Sequence, residues 1–153
     1  MNYEDLFKIL ENEGIEYFEN NLIGKLKGLY VDNTITINSK LETENERICI
    51  LAEELGHHFT SYGNILDQAK LENRKQERRA RVWAYDRLIG IVGLINAYNY
   101  GCKTKYEIAE YLNVSEHFLE DAINYYHDKY GLFHKKDKYI IYFDPLSVLE
   151  LFD

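Results

Sequence analysis

The residues with the clearest chemical potential lie in the stretch Ile50–Phe59, which reads ILAEELGHHF. In a His-Glu-x-x-His helix, two histidines share one face as zinc ligands, and the intervening glutamate activates a water molecule. Here Glu53 stands in the first ligand position, Glu54 in the base position and His57 in the second ligand position. Residues four apart share a helix face, and a carboxylate can ligate zinc. The stretch therefore predicts a metal-binding helix with one altered ligand.

A second ligand pair with the same spacing is Glu54 with His58. We favour Glu53 with His57, because the second pair leaves no glutamate in the base position and gives Glu53 no role. His58 is then expected to support the site from outside it or to lie at the surface. Asp67 could orient a liganding imidazole.

The motif and its surroundings resemble the ImmA/IrrE family of metallo-endopeptidases. The resemblance covers most of the chain after Asn20, and it includes Lys27–Tyr30, Ile35–Asn38 and Tyr142–Pro145. In that family the third ligand is a glutamate of a later helix, with a pattern close to Glu-x-x-Ala-x-x-aromatic-Ala. The segment Glu77–Ala84, ERRARVWA, matches this pattern. The resemblance thus implies Glu77 as the third ligand, zinc as the cofactor and peptide-bond hydrolysis as the reaction.

Two carboxylates among three ligands would offset the charge of a divalent cation and weaken its activation of water and carbonyl groups. Mn²⁺ is then an alternative to zinc, since carboxylates suit harder ions, and a site without metal is a further outcome. The resemblance also implies a substrate, a helix-turn-helix transcriptional repressor of a prophage or mobile element. The alternative function is a non-catalytic anti-repressor that binds this repressor without cleaving it.

Length and charge narrow the class of protein. The chain has 153 residues and a net charge of −8, which fits one compact domain and argues against a main affinity for nucleic-acid backbone. A local basic patch, Arg74–Arg81, fits either a solvated helix face or a contact with substrate. No apolar run approaches the roughly 18 residues that span a bilayer, and the N-terminal residues lack the pattern of a signal sequence. We therefore expect a cytosolic protein that does not associate with membranes.

Periodicity and turn residues predict the elements that position these side chains. The N-terminal part is expected to begin with a helix over residues 3–13 and a hairpin of Lys25–Val31 and Thr34–Asn38 around Asp32-Asn33. A helix opened by Thr43 and Glu46 then carries Glu53 and His57. A loop over residues 61–71 and a long helix from about Glu72 to Tyr98 follow. Gly56 and the small residues Ala80 and Ala84 would allow the two site helices to approach closely. Thr34–Asn38 is the expected edge strand to which an extended substrate would add.

The C-terminal part predicts a different arrangement. Thr104–Ile123 matches a helix-turn-helix template with its turn at Asn113, and a second hairpin follows over residues 132–143. DNA binding ranks last among the functions, because the recognition position carries groups of the wrong sign for phosphate, namely Glu116, His117, Glu120 and Asp121. The predicted fold class is α+β. A zincin-like metallopeptidase core would occupy residues 1–100 and a helix-turn-helix-like module with a terminal hairpin residues 101–153, packed as one compact unit.

Overall fold

The computed structural model describes residues 1–60 and 70–152. The fold is α+β, as predicted, and its elements in chain order are α1 (Tyr3–Glu13), β1 (Glu16–Asn20), β2 (Gly28–Val31), β3 (Thr34–Asn38), α2 (Glu44–Thr60), α3 (Lys70–Leu88), α4 (Gly90–Tyr100), α5 (Lys105–Leu112), α6 (Glu116–Tyr130), β4 (Phe133–Lys136), β5 (Tyr139–Phe143) and β6 (Leu146–Glu150). The strands form two small sheets, in the orders β1-β3-β2 and β4-β5-β6. Within the described segments, no helix is long and apolar enough to cross a bilayer.

The chain divides into two compact units, Met1–Arg87 and Leu88–Asp153. The domain boundary predicted at residue 100 falls one helix later than this division. The first unit contains α1, the sheet β1-β3-β2, α2 and nearly all of α3, so it carries every residue predicted for the metal site. The second unit contains α4, α5, α6 and the sheet β4-β5-β6.

The hairpin β2–β3 forms around a turn whose residues accept a left-handed backbone. Asp32 and Asn33 have φ of 47° and 59°, and two positive φ values are what a type I′ hairpin turn requires. Asn33 also donates a hydrogen bond from Nδ2 to the carbonyl oxygen of Gly14 at 2.6 Å, which joins the turn to the end of α1. The hairpin predicted from the sequence is confirmed, with its first strand shortened to Gly28–Val31.

The first sheet contains a strand that periodicity did not predict. Strand β1 pairs in parallel with β3, and Tyr17 is the single partly buried residue of its five. A strand so exposed has no apolar alternation for sequence analysis to detect. Its presence makes β3 the central strand, so the expectation that a substrate would add to Thr34–Asn38 is wrong, because that strand is paired on both sides. Within the described residues the edges of this sheet are β1 and β2.

Helix α2 packs its apolar side against the sheet and α1. Its buried residues include Ile48, Leu51 and Leu55, and strand β3, which α2 contacts, contributes the fully buried Ile35 and Ile37. The predicted cap is present, since the backbone N–H of Glu46 donates to Thr43 Oγ1 at 3.2 Å. Phe59 is 36% exposed and stacks on Trp83 of α3 with ring centres 5.0 Å apart.

The long helix expected from Glu72 to Tyr98 is wrong beyond Leu88, where α3 ends and α4 begins at Gly90. Gly90 has a φ of 63°, a left-handed conformation that cannot continue a right-handed helix. Its backbone N–H donates to the Tyr126 hydroxyl oxygen at 3.2 Å, which fixes the start of α4 in the second unit. The loop expected over residues 61–71 lies almost wholly outside the described residues.

In the second unit, α5 and α6 are joined by a short turn. Asn113 adopts a left-handed conformation at the end of α5, and Ser115 Oγ accepts a hydrogen bond from the Phe118 N–H at 3.1 Å at the start of α6. These two helices and their turn were predicted. The hairpin β4–β5 is also confirmed, and a third strand, β6, extends its sheet beyond the predicted hairpin.

Candidate metal centre

The residues predicted for the site are carried by α2 and α3, at a point where the two helix backbones meet. A methyl group added at Gly56 would collide with the backbone carbonyl of Ala80, and both residues are buried. A glycine opposite a small residue is what allows so close an approach. The approach predicted from Gly56 and Ala80 is therefore present, and it brings His57 next to Glu77, which lies one helical turn before Ala80.

His57 and Glu77 are in direct contact. His57 Nε2 lies 3.2 Å from Glu77 Oε1, with the histidine side chain 14% exposed and the glutamate side chain 55% exposed. Burial lowers the pKa of His57, but the hydrogen bond and charge of Glu77, together with the charges of Glu54 and Glu53, outweigh it and raise that pKa above its ordinary value. The same hydrogen bond lowers the pKa of Glu77. Both shifts favour a charged imidazolium–carboxylate pair.

Glu54 is buried beneath strand β2. The residue is 9% exposed, and a methyl group added at Gly28 would lie 3.0 Å from Glu54 Oε1 and 2.6 Å from Ile50 Cγ2. The β2 backbone therefore crosses directly over this carboxylate. Burial raises the pKa of Glu54 to about 7. The charge of His57 opposes this rise, and the charges of Glu77 and Glu53 add to it. A carboxyl group that titrates near neutral pH can both accept and return a proton.

Glu53 shares the electrostatic surroundings of the His57–Glu77 pair. Burial raises its pKa, the charge of Arg81 opposes that rise, and the charge of Glu77 adds to it. Among the described side chains, no three of the His, Cys, Asp and Glu type already converge on one point where a metal would fit. The structure thus brings two of the three predicted ligands into contact, and Glu53 stands near them without completing a cluster.

His58 belongs to a separate hydrogen-bonded network. Its Nδ1 lies 2.7 Å from the Tyr30 hydroxyl oxygen and its Nε2 lies 3.2 Å from Glu13 Oε1. A carboxylate can only accept, so Nε2–H donates to Glu13, and in the neutral imidazole Nδ1 accepts from the Tyr30 hydroxyl. This network joins α1, α2 and β2, and it engages both ring nitrogens of His58. That engagement favours His57 over His58 as the ligand.

Sequence reasoning missed Glu13 and Tyr30, because nothing local links residues 45 and 28 positions away from His58. It also missed Gly28, whose lack of a side chain lets β2 cover Glu54. Asp67, suggested as a partner of a liganding imidazole, lies outside the described residues.

Comparison with known protein families gives one match. Residues 11–124 match the family model Peptidase_M78, described as the IrrE N-terminal-like domain. The chain belongs to this family. The matched segment covers well over half of the chain, and it contains α2, α3 and all four residues predicted for the site. It continues through α4 and α5 into α6. No curated protein matches the chain.

The residues predicted as ligands in this IrrE N-terminal-like domain, Glu53, His57 and Glu77, suit a divalent cation in type and in charge. One imidazole nitrogen and two carboxylates are ordinary ligands of zinc, and the two negative charges balance a doubly charged ion. The contact between Gly56 and Ala80 fixes the two helices that carry these donors. The family resemblance predicted from the sequence is confirmed, and the family is one of metallopeptidase-like proteins.

Proposed function

We propose that this IrrE N-terminal-like protein is a metal-dependent endopeptidase, with Glu53, His57 and Glu77 as metal ligands and Glu54 as the general base. The observation that carries the proposal is the 3.2 Å contact between His57 Nε2 and Glu77 Oε1, because it joins donors from two helices at one point. Glu53 would complete the set by turning its carboxylate toward that pair. Zinc is the expected ion, and Mn²⁺ is the alternative for a donor set rich in carboxylates.

The chain's own residues supply the proton transfers of such a reaction. A divalent ion held by the three ligands would provide Lewis acidity toward the peptide carbonyl. Glu54 accepts a proton from the attacking water, whose oxygen bonds to the carbonyl carbon, and passes it to the leaving amine nitrogen as the C–N bond breaks. The products are a carboxylic acid and an amine. A pKa of about 7 suits Glu54 to both transfers.

Strand β2 is the edge to which an extended substrate would add. It is unpaired on one side within the described residues, and Gly28 crosses over Glu54. A peptide paired with β2 would therefore run beside the general base. Pairing through backbone hydrogen bonds gives affinity and leaves specificity to side chains. The expected substrate is a helix-turn-helix repressor of a prophage or mobile element, so that cleavage relieves repression.

A second candidate function is a non-catalytic anti-repressor that binds the same repressor. The observation that favours it is that His57 and Glu77 already satisfy each other by a hydrogen bond, while Glu53 occupies the position of the family's first histidine. In this case the helix-turn-helix-like α5–α6 pair could contribute to partner binding. Both candidate functions predict binding of the repressor, and cleavage alone distinguishes them.

Metal content tests the proposed ligands. We expect about one divalent metal per chain in the wild type and in Glu54→Gln, and loss of metal in His57→Ala and Glu77→Ala, because a ligand must contact the metal and a base need not. Elemental analysis of the purified proteins measures this. Equal metal content in the wild type and in His57→Ala would remove the proposed centre.

Incubation with the helix-turn-helix repressor encoded nearest to the gene tests the reaction. The wild type should release one or a few defined fragments, since only exposed linkers of a folded repressor can become extended. Glu54→Gln should bind the repressor and leave it intact. Intact repressor with the wild type, together with tight complex formation and release of the repressor from DNA, would establish the binding-only function instead.

A further inference from the structure

Positive charge is concentrated on α3, next to the candidate metal centre. Residues 74–81 hold five of the 18 Lys and Arg residues and only one of the 26 Asp and Glu residues, in a chain whose net charge is −8. All five cationic residues are exposed, namely Arg74, Lys75, Arg78, Arg79 and Arg81. A local reversal of sign of this size creates a field at the surface that attracts anionic groups.

Three of the five form a row on the side of α3 that carries Glu77. Arg74, Arg78 and Arg81 have the spacing i, i+4 and i+7, which follows one face of a helix. Arg81 is also four residues after Glu77, and its charge acts on both Glu53 and Glu77. The row therefore runs past Glu77, with Arg74 about one helical turn before it and Arg81 about one turn after it.

The segment before the hairpin strand β2 contributes a further cation near Glu53. Lys27 is exposed and immediately precedes β2, and its charge acts on Glu53, as does that of Arg81. Its carbonyl oxygen accepts a hydrogen bond from the Asn38 N–H at 2.8 Å, so the lysine backbone is fixed in the sheet. Glu53 thus has a cation from α3 and another from the start of the edge strand in its surroundings.

We propose that four cations bind an acidic segment of the polypeptide substrate and so select peptides with Asp or Glu near the bond to be cleaved. These four, the three arginines of the row on α3 together with Lys27, are called the basic row below. The inference rests on the proposed peptidase function and names the substrate class for that same site. Backbone pairing with β2 accepts any sequence, whereas charge complementarity rejects the wrong one. The basic row therefore supplies the selectivity that an edge strand lacks.

An acidic peptide fits the basic row better than a nucleic acid does. Arg74 to Arg81 span only about 10 Å at the helical rise per residue, and the carboxylates of Glu53 and Glu77 adjoin them. A nucleic acid carries a charge at every nucleotide and would bring phosphates against these carboxylates. A peptide can have its carboxylates only where the arginines are. Nucleic-acid binding is the competing outcome of the test.

The test uses binding by the full-length Glu54→Gln protein, so that no probe is consumed. The probes are fluorescent peptides of equal length in which glutamate, glutamine or lysine occupies the same positions, and a single-stranded oligonucleotide of equal charge. Anisotropy titration should give the tightest binding for the glutamate peptide. Raising the salt from about 0.1 M to about 1 M shortens the screening length from about 10 Å to about 3 Å and should remove most of that preference.

Matched variants locate the binding surface. The double variant R74Q/R78Q should weaken binding of the glutamate peptide by about three- to tenfold, the range expected from two exposed ion pairs. The control K75Q/R79Q removes the same charge from the side of α3 away from Glu77. It should change binding less than about twofold, because exposed charges that form no ion pair with the peptide contribute little. Three outcomes would each overturn the proposal. The two double variants could have equal effects, the glutamate and glutamine peptides could bind equally or not at all, or the oligonucleotide could bind more tightly than the glutamate peptide.

Failure of this proposal can be distinguished from failure of the peptidase proposal, because peptide binding needs neither metal nor hydrolysis. Preference for the glutamate peptide that depends on Arg74 and Arg78, while the wild type cleaves neither the peptide nor the repressor, would end the peptidase proposal and leave an acidic-peptide surface. Cleavage of the glutamate and glutamine peptides at equal rates by the wild type would support the peptidase proposal and end the proposed selectivity for acidic peptides.

Discussion

At the scale of single residues, Glu53 would determine the chemistry of the proposed centre, because it stands in the first ligand position of the motif. A neutral histidine in place of the anionic glutamate would change the net charge at the metal by one unit. Glu53→His should therefore bind zinc more tightly, by roughly tenfold or more, the scale on which changes in the ligand shell act, and should cleave the substrate faster. Competition with a chelator measures the zinc affinity.

The matched control is Glu44→His, which adds a histidine to the exposed first turn of the same helix. It should leave zinc affinity unchanged. If Glu53→His also leaves zinc affinity unchanged, Glu53 does not contact the metal, and the centre has at most the two donors His57 and Glu77.

The proximity of His57 and Glu77 was expected, because the family resemblance implied both as ligands of one metal and because Gly56 and Ala80 would let their helices approach. The sequence could not predict that both nitrogens of His58 are engaged, since Glu13 and Tyr30 come from other elements and belong to no motif. The arginines of α3 were ambiguous for a related reason. Their exposure was evident from the sequence, but their position relative to Glu53 depends on how α2 and α3 pack.

At the scale of elements, the contact between α2 and α3 depends on Gly56. Replacing a helical glycine by alanine usually stabilises by about 1 kcal/mol, but here the new methyl group would collide with the Ala80 backbone, which no rotamer change can relieve. Overpacking of this kind costs about 1–3 kcal/mol, so it outweighs the gain in helix propensity. Gly56→Ala should lower the free energy of unfolding and weaken metal binding as His57 moves from Glu77.

Gly93→Ala in α4 is the matched control. Its methyl group would lie 3.5 Å from Leu112 Cδ2, an ordinary contact, so this variant should be neutral or stabilised by up to about 1 kcal/mol. Denaturant titration compares the two variants. Unchanged stability and metal content in Gly56→Ala would show that the helices can separate without loss of the site.

The elements that sequence analysis missed share a physical cause. Strand β1 is almost wholly exposed, and its pairing with β3 joins residues that are distant in sequence, so no local pattern reveals it. The break at Gly90 is similar, because one glycine costs a helix only about 1 kcal/mol and does not by itself end it. The hydrogen bond from Gly90 to Tyr126 stabilises the break, and it depends on a helix that lies further along the chain. The hairpin turn at Asp32 and Asn33 is local, and it was predicted.

At the scale of the whole molecule, metal binding should stabilise the first unit by mass action. The single tryptophan, Trp83, lies in this unit and stacks on Phe59 of α2, so its fluorescence reports unfolding near the site. A free zinc concentration about a hundredfold above Kd should add about 2.7 kcal/mol, which raises Tm by on the order of 10 °C for a unit of this size. Melting followed by tryptophan emission measures the shift.

His57→Ala provides the control for this shift, because it removes a ligand and leaves Trp83 in place. Its Tm should not respond to zinc. A shift of equal size in His57→Ala would mean that zinc binds elsewhere, and no shift in the wild type would exclude a stabilising metal in the first unit.

Strand β2 runs in the same direction as α2, since Gly28 lies over Ile50 and Glu54 while Tyr30 meets His58 one turn further along the helix. A peptide that joined β2 in the antiparallel sense of its own hairpin would run against the direction of α2. Its amino-terminal part would lie toward Tyr30, and its carboxyl-terminal part toward Lys27. The chain polarity of the substrate then follows from the sheet, and residues that contact Lys27 belong to the fragment that leaves with a new amino terminus.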